Sequence, residues 1–150
     1  MRLEEEIQQQ KFKDEYQKLS INILFTASWM NQQTTQLLKP YNISWQQFNI
    51  LRILKGQHPK PTTVKTLAER MIDKMSNASR LVEKLRQKKY VERSECQEDR
   101  RRVDIVITDL GLQTIREASD VVEQWMSEVF ESTTKQEAAQ LNGILDQMRD

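Results

Sequence analysis

Residues 67–93 read LAERMIDKMSNASRLVEKLRQKKYVER and contain two short helix patterns with a break at residues 72–74. In the second pattern, which runs from about Met75 to Lys88, apolar residues recur at steps of three and four. These apolar residues are Met75, Ala78, Leu81, Val82 and Leu85. The opposite side of the same helix carries Ser76, Asn77, Arg80 and Lys84. Two short helices joined so closely predict a helix-turn-helix.

A β-hairpin is predicted directly after this segment. Tyr90 to Arg93 is a short strand candidate, and Val103 to Ile107 has apolar residues at alternate positions, as expected of a second strand. The connection between them, Ser94 to Arg102, is polar and highly charged. A hairpin with such a loop directly after a helix-turn-helix is a wing. The predicted fold class is therefore mainly α with a small β-hairpin wing, a winged helix-turn-helix.

Capping signals predict further helices on both sides of this motif. Ser44 and Gln47 form a capping box, which predicts a helix from Ser44 to about Lys55. Thr63 is positioned to cap the first helix of the helix-turn-helix, and Thr108 to cap a helix after the hairpin. The winged helix-turn-helix lobe is predicted to span residues 43–108.

Apolar stripes at both ends of the chain predict helices that pair with a second copy. Near the N-terminus, one stripe follows steps of three, four and seven, and a second set lies off that stripe. The two sets are Phe12, Tyr16, Leu19, Ile23, Ala27, Met30 and Leu37, and Ile21, Leu24, Phe25 and Trp29. Near the C-terminus, Leu141, Leu145 and Met148 form an interhelical seam after a capping box at Thr134 and Glu137. Residues 5–38 and 109–150 are therefore predicted to be dimerisation helices of one unit spanning residues 1–150.

Positive charge is concentrated in the middle of the chain. The formal net charge of the 150 residues is +1, yet residues 60–103 contain 13 Lys and Arg against 7 Asp and Glu, a net +6. A basic module between acidic flanks is the pattern of a protein that offers one face to phosphate groups. A solvated charged helix is the alternative interpretation of any single charge run.

The residue inventory argues against other classes of protein. The single His58 and the single Cys96 leave no evident Cys/His dyad or zinc cluster, so no enzymatic activity and no cofactor are predicted. A redox role for Cys96 beside the basic loop is the alternative to an inert exposed thiol, which is favoured. The longest uncharged stretch, Leu19 to Leu38, is too rich in Ser, Asn, Thr and Gln to span a membrane. One cysteine and a start unlike a signal peptide predict the cytoplasm.

Five motifs resemble the MarR family of bacterial transcription regulators, in family order and at family spacing. They are the LA of the first helix, the SRLVEKL of the second, the VER strand, the DRR of the wing and the IT-x-x-G that opens the next helix. ISWQQFNILRIL, from Ile43 to Leu54, is similar to the second helix of the family. Two residues depart from the family pattern, since Lys89 stands where glycine is usual and Tyr90 where leucine is usual. We expect Lys89 to adopt a left-handed conformation at a cost of about 1 kcal/mol.

The resemblance implies that the second helix of the motif enters the major groove of duplex DNA. Ser76, Asn77 and Ser79 are the base-reading candidates, and Asn suits adenine through its paired donor and acceptor. Arg80 is expected to bind a phosphate, and Lys84 belongs to the same DNA-binding set. A solvated or helix-capping role is the alternative for the Ser and Asn residues.

The resemblance also assigns roles in the wing. Asp99 and Arg101 match the family's acid and arginine pair, in which the arginine enters the minor groove and the acid orients it. Arg100 and Arg102 would contact the DNA backbone or solvent. A loop that is merely solvated is the alternative interpretation.

The implied partners are double-stranded DNA, a second copy of the chain and a small molecule. A homodimer would bind a pseudo-palindromic operator with half-sites about 34 Å apart. A small aromatic ligand would lie between the dimerisation helices and the DNA-binding lobe, against Trp29, Met30 and Phe48. The resulting prediction is a repressor that the ligand releases from DNA. The alternative is a protein-interaction module that kept the winged-helix fold without DNA binding.

Overall fold

The structure is a computed structural model that describes residues 1–99 and 102–150. Its helices are α1 (Leu3–Glu6), α2 (Glu15–Leu38), α3 (Trp45–Gln57), α4 (Val64–Arg70), α5 (Ala78–Gln87), α6 (Asp109–Val129) and α7 (Lys135–Gln147). The strands are β1 (Val91–Glu95) and β2 (Val103–Ile107), and a short 3-10 helix at Lys39–Tyr41 follows α2. The predicted fold class, mainly α with a β-hairpin, is confirmed.

The long N-terminal helix begins later than predicted. The expected range was 5–38, but α1 is a separate short helix, and Gln8 after it has a φ of 52°, a left-handed conformation that interrupts helix geometry. α2 begins where Asp14 caps it, because the Asp14 carboxylate accepts a hydrogen bond from the Gln17 N–H at 2.8 Å. Phe12, which periodicity placed on the helix stripe, therefore lies before α2.

The hydrophobic core lies in the lobe that α3, α4, α5, the hairpin and the first half of α6 form together. α3 begins at the predicted capping box, in which Ser44 Oγ accepts from the Gln47 N–H at 3.1 Å and Gln47 Oε1 accepts from the Ser44 N–H at 3.0 Å. α3 ends at Gln57, two residues beyond the expected end. The most deeply buried side chains include Ile50, Leu51, Leu54, Leu67, Val82, Leu85, Ile105 and Ile115. Because these residues come from every helix of the lobe and from β2, each element depends on the others for its burial.

The two strands form an antiparallel hairpin that pairs Val91 with Ile107 at its base and continues to Glu95. β2 has the predicted bounds. β1 begins one residue later than predicted, at Val91, and ends two residues later, at Glu95, because cross-strand pairing continues there. The Thr62 and Ile105 backbones exchange hydrogen bonds of 3.0 and 2.7 Å. These bonds fix the hairpin to the segment that precedes α4.

The turn between α5 and β1 packs tightly against the start of α6. Lys89 has a φ of 63°, which confirms the left-handed conformation expected at this position. Thr108, the N-cap of α6, donates its hydroxyl proton to the Lys89 carbonyl oxygen at 2.7 Å. A Cβ atom at Gly111 would lie 2.1 Å from the Tyr90 carbonyl oxygen, so only glycine allows this approach. Through Thr108 and Gly111, the IT-x-x-G motif therefore packs the start of α6 against the turn that follows α5.

The helices at the two ends of the chain leave apolar side chains exposed. Within the described chain, α2 buries only Leu38, and α7 buries no residue. The exposed apolar side chains of α2, α6 and α7 include Tyr16, Leu19, Leu24, Leu110, Val121, Leu141 and Ile144. Among the described residues, no helix combines the length and the apolar character that crossing a membrane requires.

Candidate nucleic-acid interface

α5 has one buried side and one exposed side. The buried side is formed by Ala78, Val82 and Leu85, which are 5%, 1% and 0% exposed. The exposed side carries Ser79, Arg80 and Lys84, three of the predicted DNA-binding residues. This division follows from the helical spacing of the apolar residues, and it leaves two cations and a hydroxyl facing solvent on one rigid element.

Asn77 caps α5. The helix was expected to begin near Met75, but it begins at Ala78 because Asn77 Oδ1 accepts a hydrogen bond from the Arg80 N–H at 3.0 Å. The oxygen needed for paired recognition of adenine is therefore engaged within the chain. Asn77 therefore acts as a helix cap in this structure, and its NH₂ group can still donate hydrogen bonds.

A network of hydrogen bonds holds the turn that precedes α5. The Asp73 carboxylate accepts a hydrogen bond from the Met75 N–H at 3.0 Å. A hydrogen bond from the Ser76 side chain, followed by the one from the Met75 N–H, lowers the pKa of Asp73 below its ordinary value. The Ile72 N–H donates to Oδ1 of the buried Asn49 at 2.9 Å. Ser76 is half-buried, and its hydroxyl donates to the Asp73 carboxylate within this turn.

Glu83 connects α5 to the wing, a feature that the sequence analysis missed. Its carboxylate accepts from Arg86 Nε at 3.0 Å and Arg86 Nη2 at 2.8 Å, and it lies 3.5 Å from Arg93 Nη1 on β1. The hydrogen bond with Arg86 is the main cause that lowers the pKa of Glu83 to about 2. The spacing of three residues between Glu83 and Arg86 is a recognisable helix signal. The contact with Arg93 depends on the packing of β1 against α5, so it cannot be predicted from the local spacing of residues in the sequence.

Of the predicted wing residues, Asp99 and Arg102 lie just beyond the paired part of the hairpin. Arg102 Nε donates to Asp104 Oδ1 at 2.9 Å, so Arg102, which was expected to contact DNA or solvent, is directed towards β2. Its N–H donates to the Asp99 carbonyl oxygen at 2.9 Å. The predicted minor-groove residue Arg101 and its neighbour Arg100 lie outside the described residues.

A basic groove of about 350 Å³ lies beside α5, between its C-terminal half and the end of α2. Its lining includes Lys39, Lys84 and Lys88 together with the apolar Ile43 and Leu81. Burial is the main cause that lowers the pKa of Lys88, and the positive charge of Lys84 adds to it. Because Lys84 lines this groove, it lies on the side of α5 that is nearest the end of α2.

Of the three residues predicted to bind a small ligand, Met30 lines a cavity, whereas Trp29 and Phe48 have other packing partners in the described part of the chain. Met30 lines an open cavity of about 600 Å³ between α2 and the start of α3, where Trp45 and Ile72 also contribute. Trp29 instead packs against Trp125 of α6, with the ring centroids 5.7 Å apart. Phe48 is 6% exposed and belongs to the core of the lobe. Only Met30 of the predicted set is therefore placed to touch a molecule in this cavity.

No group of three or more His, Cys, Asp or Glu residues within ranges 1–99 and 102–150 is arranged to hold a metal ion. Cys96 is half-buried at the start of the wing loop, and its N–H donates to the Arg102 carbonyl oxygen at 3.0 Å.

Comparison with known proteins gives a consistent family match. The model of the MarR family matches residues 43–103, from just before α3 to the first residue of β2. The chain is 32% identical over 116 residues to the uncharacterised HTH-type transcriptional regulator YwaE of Bacillus subtilis, covering 77% of this chain and 67% of YwaE.

Two solved structures share the fold. The organohalide-sensing regulator RdhR in its 2,4-dichlorophenol-bound form has a TM-score of 0.81 at 21% identity, covering 94% of this chain and 85% of RdhR. The MepR–DNA complex of S. aureus has a TM-score of 0.76 at 20% identity, covering 92% of this chain and 97% of MepR. At sequence identities of 20% and 21%, the two comparisons show that this chain has the same fold as RdhR and MepR.

Proposed function

The chain belongs to the MarR family, and on that premise we propose that it is a cytoplasmic transcription regulator that binds a specific duplex DNA sequence as a homodimer. The observation that carries the proposal is the exposed side of α5. This side exposes Ser79, Arg80 and Lys84 to solvent, while the other side of the helix is buried in the core of the lobe. Such a helix enters the major groove without rearrangement of the core. MepR, which has the same fold, is known in a DNA complex.

The proposed roles within the interface follow from side-chain chemistry. Ser79 contacts base edges. Asn77 contributes there through its NH₂ group, because its Oδ1 caps α5. Ser76 contributes through the lone pairs of its hydroxyl oxygen, because its proton is donated to Asp73. Arg80 and Lys84 bind phosphates and fix the position of α5. In the wing, the roles follow from the family resemblance: Arg101 enters the minor groove with Asp99 as its orienting acid, and Arg100 contacts the DNA backbone. Arg102 contacts the backbone only through the guanidinium N–H groups that its bond to Asp104 leaves available. The list of proposed DNA contacts is Ser76, Asn77, Ser79, Arg80, Lys84, Asp99, Arg100, Arg101 and Arg102.

Dimerisation would cover the exposed apolar faces of the end helices. Leu24 on α2 is 71% exposed, and Leu141 and Ile144 on α7 are 52% and 50% exposed. Removing such side chains from water stabilises association by about 25 cal/mol per Å² of buried apolar surface. The proposed division is a DNA-binding lobe at residues 43–108 and dimerisation helices within 5–38 and 109–150. Two lobes related by a two-fold axis would read half-sites about 34 Å apart.

Ligand control is proposed for the cavity that Met30 lines. Its apolar wall includes Trp45 at the start of α3 and Ile72 in the turn before α5. A small aromatic molecule there would contact both α2 and the turn that positions α5, so its binding would shift the spacing of the two lobes. RdhR, which shares the fold, is known with 2,4-dichlorophenol bound. A dimer on a promoter blocks polymerase by occupancy, so the proposed activity is repression relieved by the ligand.

The test of DNA binding starts with selection of a duplex from a random library, followed by titrations of the wild type at two salt concentrations. We expect Arg80→Ala to weaken binding and to reduce the slope of log K against log salt by about 1.8, the value for two lost phosphate contacts, one in each protomer of the dimer. Arg116→Ala, which removes an exposed arginine from α6, is the matched control and should leave the slope unchanged.

The same titrations distinguish the alternative functions. Arg101→Ala should weaken binding to duplexes with a narrow minor groove more than binding to others. If the selection yields no preferred duplex and Arg80→Ala behaves like Arg116→Ala, the fold serves protein partners instead. The family consists of transcription regulators, so no enzymatic activity is proposed.

A further inference from the structure

An apolar side chain in the helix-turn-helix projects almost fully into solvent. Met75, in the turn between α4 and α5, is 94% exposed, whereas Met71 at the other end of the turn is 2% exposed and anchors it in the core. Ile72, between them, is 70% exposed but lines the cavity beside α2. Met75 is thus the apolar group that this turn presents outward, two residues before the cap of α5.

The backbone that carries Met75 is fixed on both sides. The Met75 N–H donates to Asp73 Oδ1 at 3.0 Å, and the Ser76 N–H donates to the Asp73 carbonyl oxygen at 3.3 Å. Asn77 then caps the helix through the Arg80 N–H. Because the backbone is already ordered, a contact made by Met75 requires the ordering of its side chain alone.

The surroundings of Met75 indicate what it contacts. It lies within the basic module, between Lys74 and Ser76, at the end of α5 that is proposed to enter the major groove. The C5 methyl group of thymine is the apolar feature that the base pairs present in that groove. A long, unbranched thioether adapts its shape to such a small apolar target.

We propose that Met75 is a specificity-determining residue that packs against the C5 methyl group of one thymine in each half-site. The proposal rests on the proposed function, because it requires that α5 enters DNA. It adds an apolar contact to the polar and charged set on α5, and it predicts a preference for thymine opposite the start of the helix.

The experiment replaces each thymine of the selected duplex by deoxyuridine, one position at a time, which removes the methyl group and keeps the base pair. Fluorescence anisotropy gives Kd for the wild type, Met75→Ala, the near-isosteric polar Met75→Gln and the control Arg116→Ala on α6. We expect the wild type to lose about fourfold in affinity at one thymine per half-site. Met75→Ala and Met75→Gln should bind the thymine and uracil duplexes equally, while Arg116→Ala keeps the fourfold difference.

The outcomes separate this proposal from the proposed function. If a preferred duplex binds selectively but no uracil substitution weakens it, or if Met75→Ala keeps the full difference, the role of Met75 is wrong and DNA binding stands. If no duplex binds selectively, both the proposed function and the role of Met75 fail. Since Met75 is 94% exposed, its variants should melt at the wild-type temperature, which circular dichroism checks.

Discussion

The DNA-binding lobe and the end helices are built on different principles, although both consist mainly of amphipathic helices. In the lobe, apolar side chains such as Leu67, Leu85 and Ile105 are 0% exposed, and they come from distant parts of the chain. On α7, Leu141 and Ile144 keep about half of their surface in contact with water. The lobe therefore holds itself together, whereas the end helices have apolar faces that only another molecule would cover. The comparison separates residues whose substitution unfolds the protein from residues whose substitution changes its assembly.

The largest contrast is expected between Leu85→Ala and Leu141→Ala. Truncating the fully buried Leu85 leaves a cavity and should lower the free energy of unfolding by about 3 kcal/mol, within the usual range of 2–5. Leu141→Ala should cost less and only at protein concentrations where dimers form. Urea unfolding at several protein concentrations measures both effects. A loss of equal size in the two variants, independent of concentration, would show that α7 is part of the core.

The glycines provide a second contrast. Gly111→Ala places a Cβ atom 2.1 Å from the Tyr90 carbonyl oxygen, so it should lower the free energy of unfolding by about 2 kcal/mol through overpacking. Gly143→Ala on α7 meets no described atom within 4 Å and should stabilise that helix by up to about 1 kcal/mol. Thermal unfolding of the two variants checks both signs. A destabilised and dissociated Gly143→Ala variant would instead reveal a close partner contact at that position.

Helix caps should separate the two regions by about 1 kcal/mol. Asn77→Ala removes the cap of α5, and because α5 packs on the core, the loss should appear in global unfolding. Thr134→Ala removes the equivalent bond to the Glu137 N–H on α7, where the expected result is local fraying. Hydrogen exchange distinguishes global from local opening. Asn77→Asp, which keeps the capping oxygen, should retain the stability that Asn77→Ala loses.

Features set by nearby residues could be predicted from the sequence. The caps at Ser44, Thr63, Thr108 and Thr134 are confirmed, because a cap requires only a polar side chain and the N–H groups of the following turn. The left-handed Lys89 is also confirmed; it was expected because the family that the sequence resembles usually has glycine at this position. The amphipathic pattern correctly placed Ala78, Val82 and Leu85 on the buried side of α5, with Arg80 and Lys84 on the exposed side. It was wrong for Met75, which is 94% exposed.

Features that depend on distant packing could not be predicted. The tilted ring contact of Trp29 with Trp125 and the contact between Glu83 and Arg93 join residues from separate elements, so no local spacing encodes them. The error at Met75 is local instead: its spacing fits the apolar stripe of α5, but the turn at Asp73 and the cap at Asn77 keep it outside the helix. The grouping of Trp29, Met30 and Phe48 could not be derived from local spacing either, since the walls of a cavity come from several elements.

The smallest expected effect concerns the pH dependence of the contact between α5 and the wing. The folded-state pKa of Glu83 is about 2, below its ordinary value of 4.5, so the carboxylate contributes stability above pH 4.5 that is lost as the pH falls towards 2. We expect Glu83→Gln to lower the melting temperature at pH 7 and to match the wild type more closely as the pH approaches 2.

Glu137 on α7 is the matched control for this titration. Its pKa is also lowered, mainly by the hydrogen bond from the Thr134 N–H, so its contribution has the same sign. Glu83, however, connects α5 to β1, whereas the hydrogen bonds of Glu137 within residues 1–99 and 102–150 are with Thr134 at the start of its own helix. Glu83→Gln should therefore change the global melting temperature with pH, and Glu137→Gln should change only the hydrogen exchange of α7. A global, pH-dependent loss in Glu137→Gln of the same size would mean that α7 unfolds together with the lobe, and the separation of the two regions would be wrong.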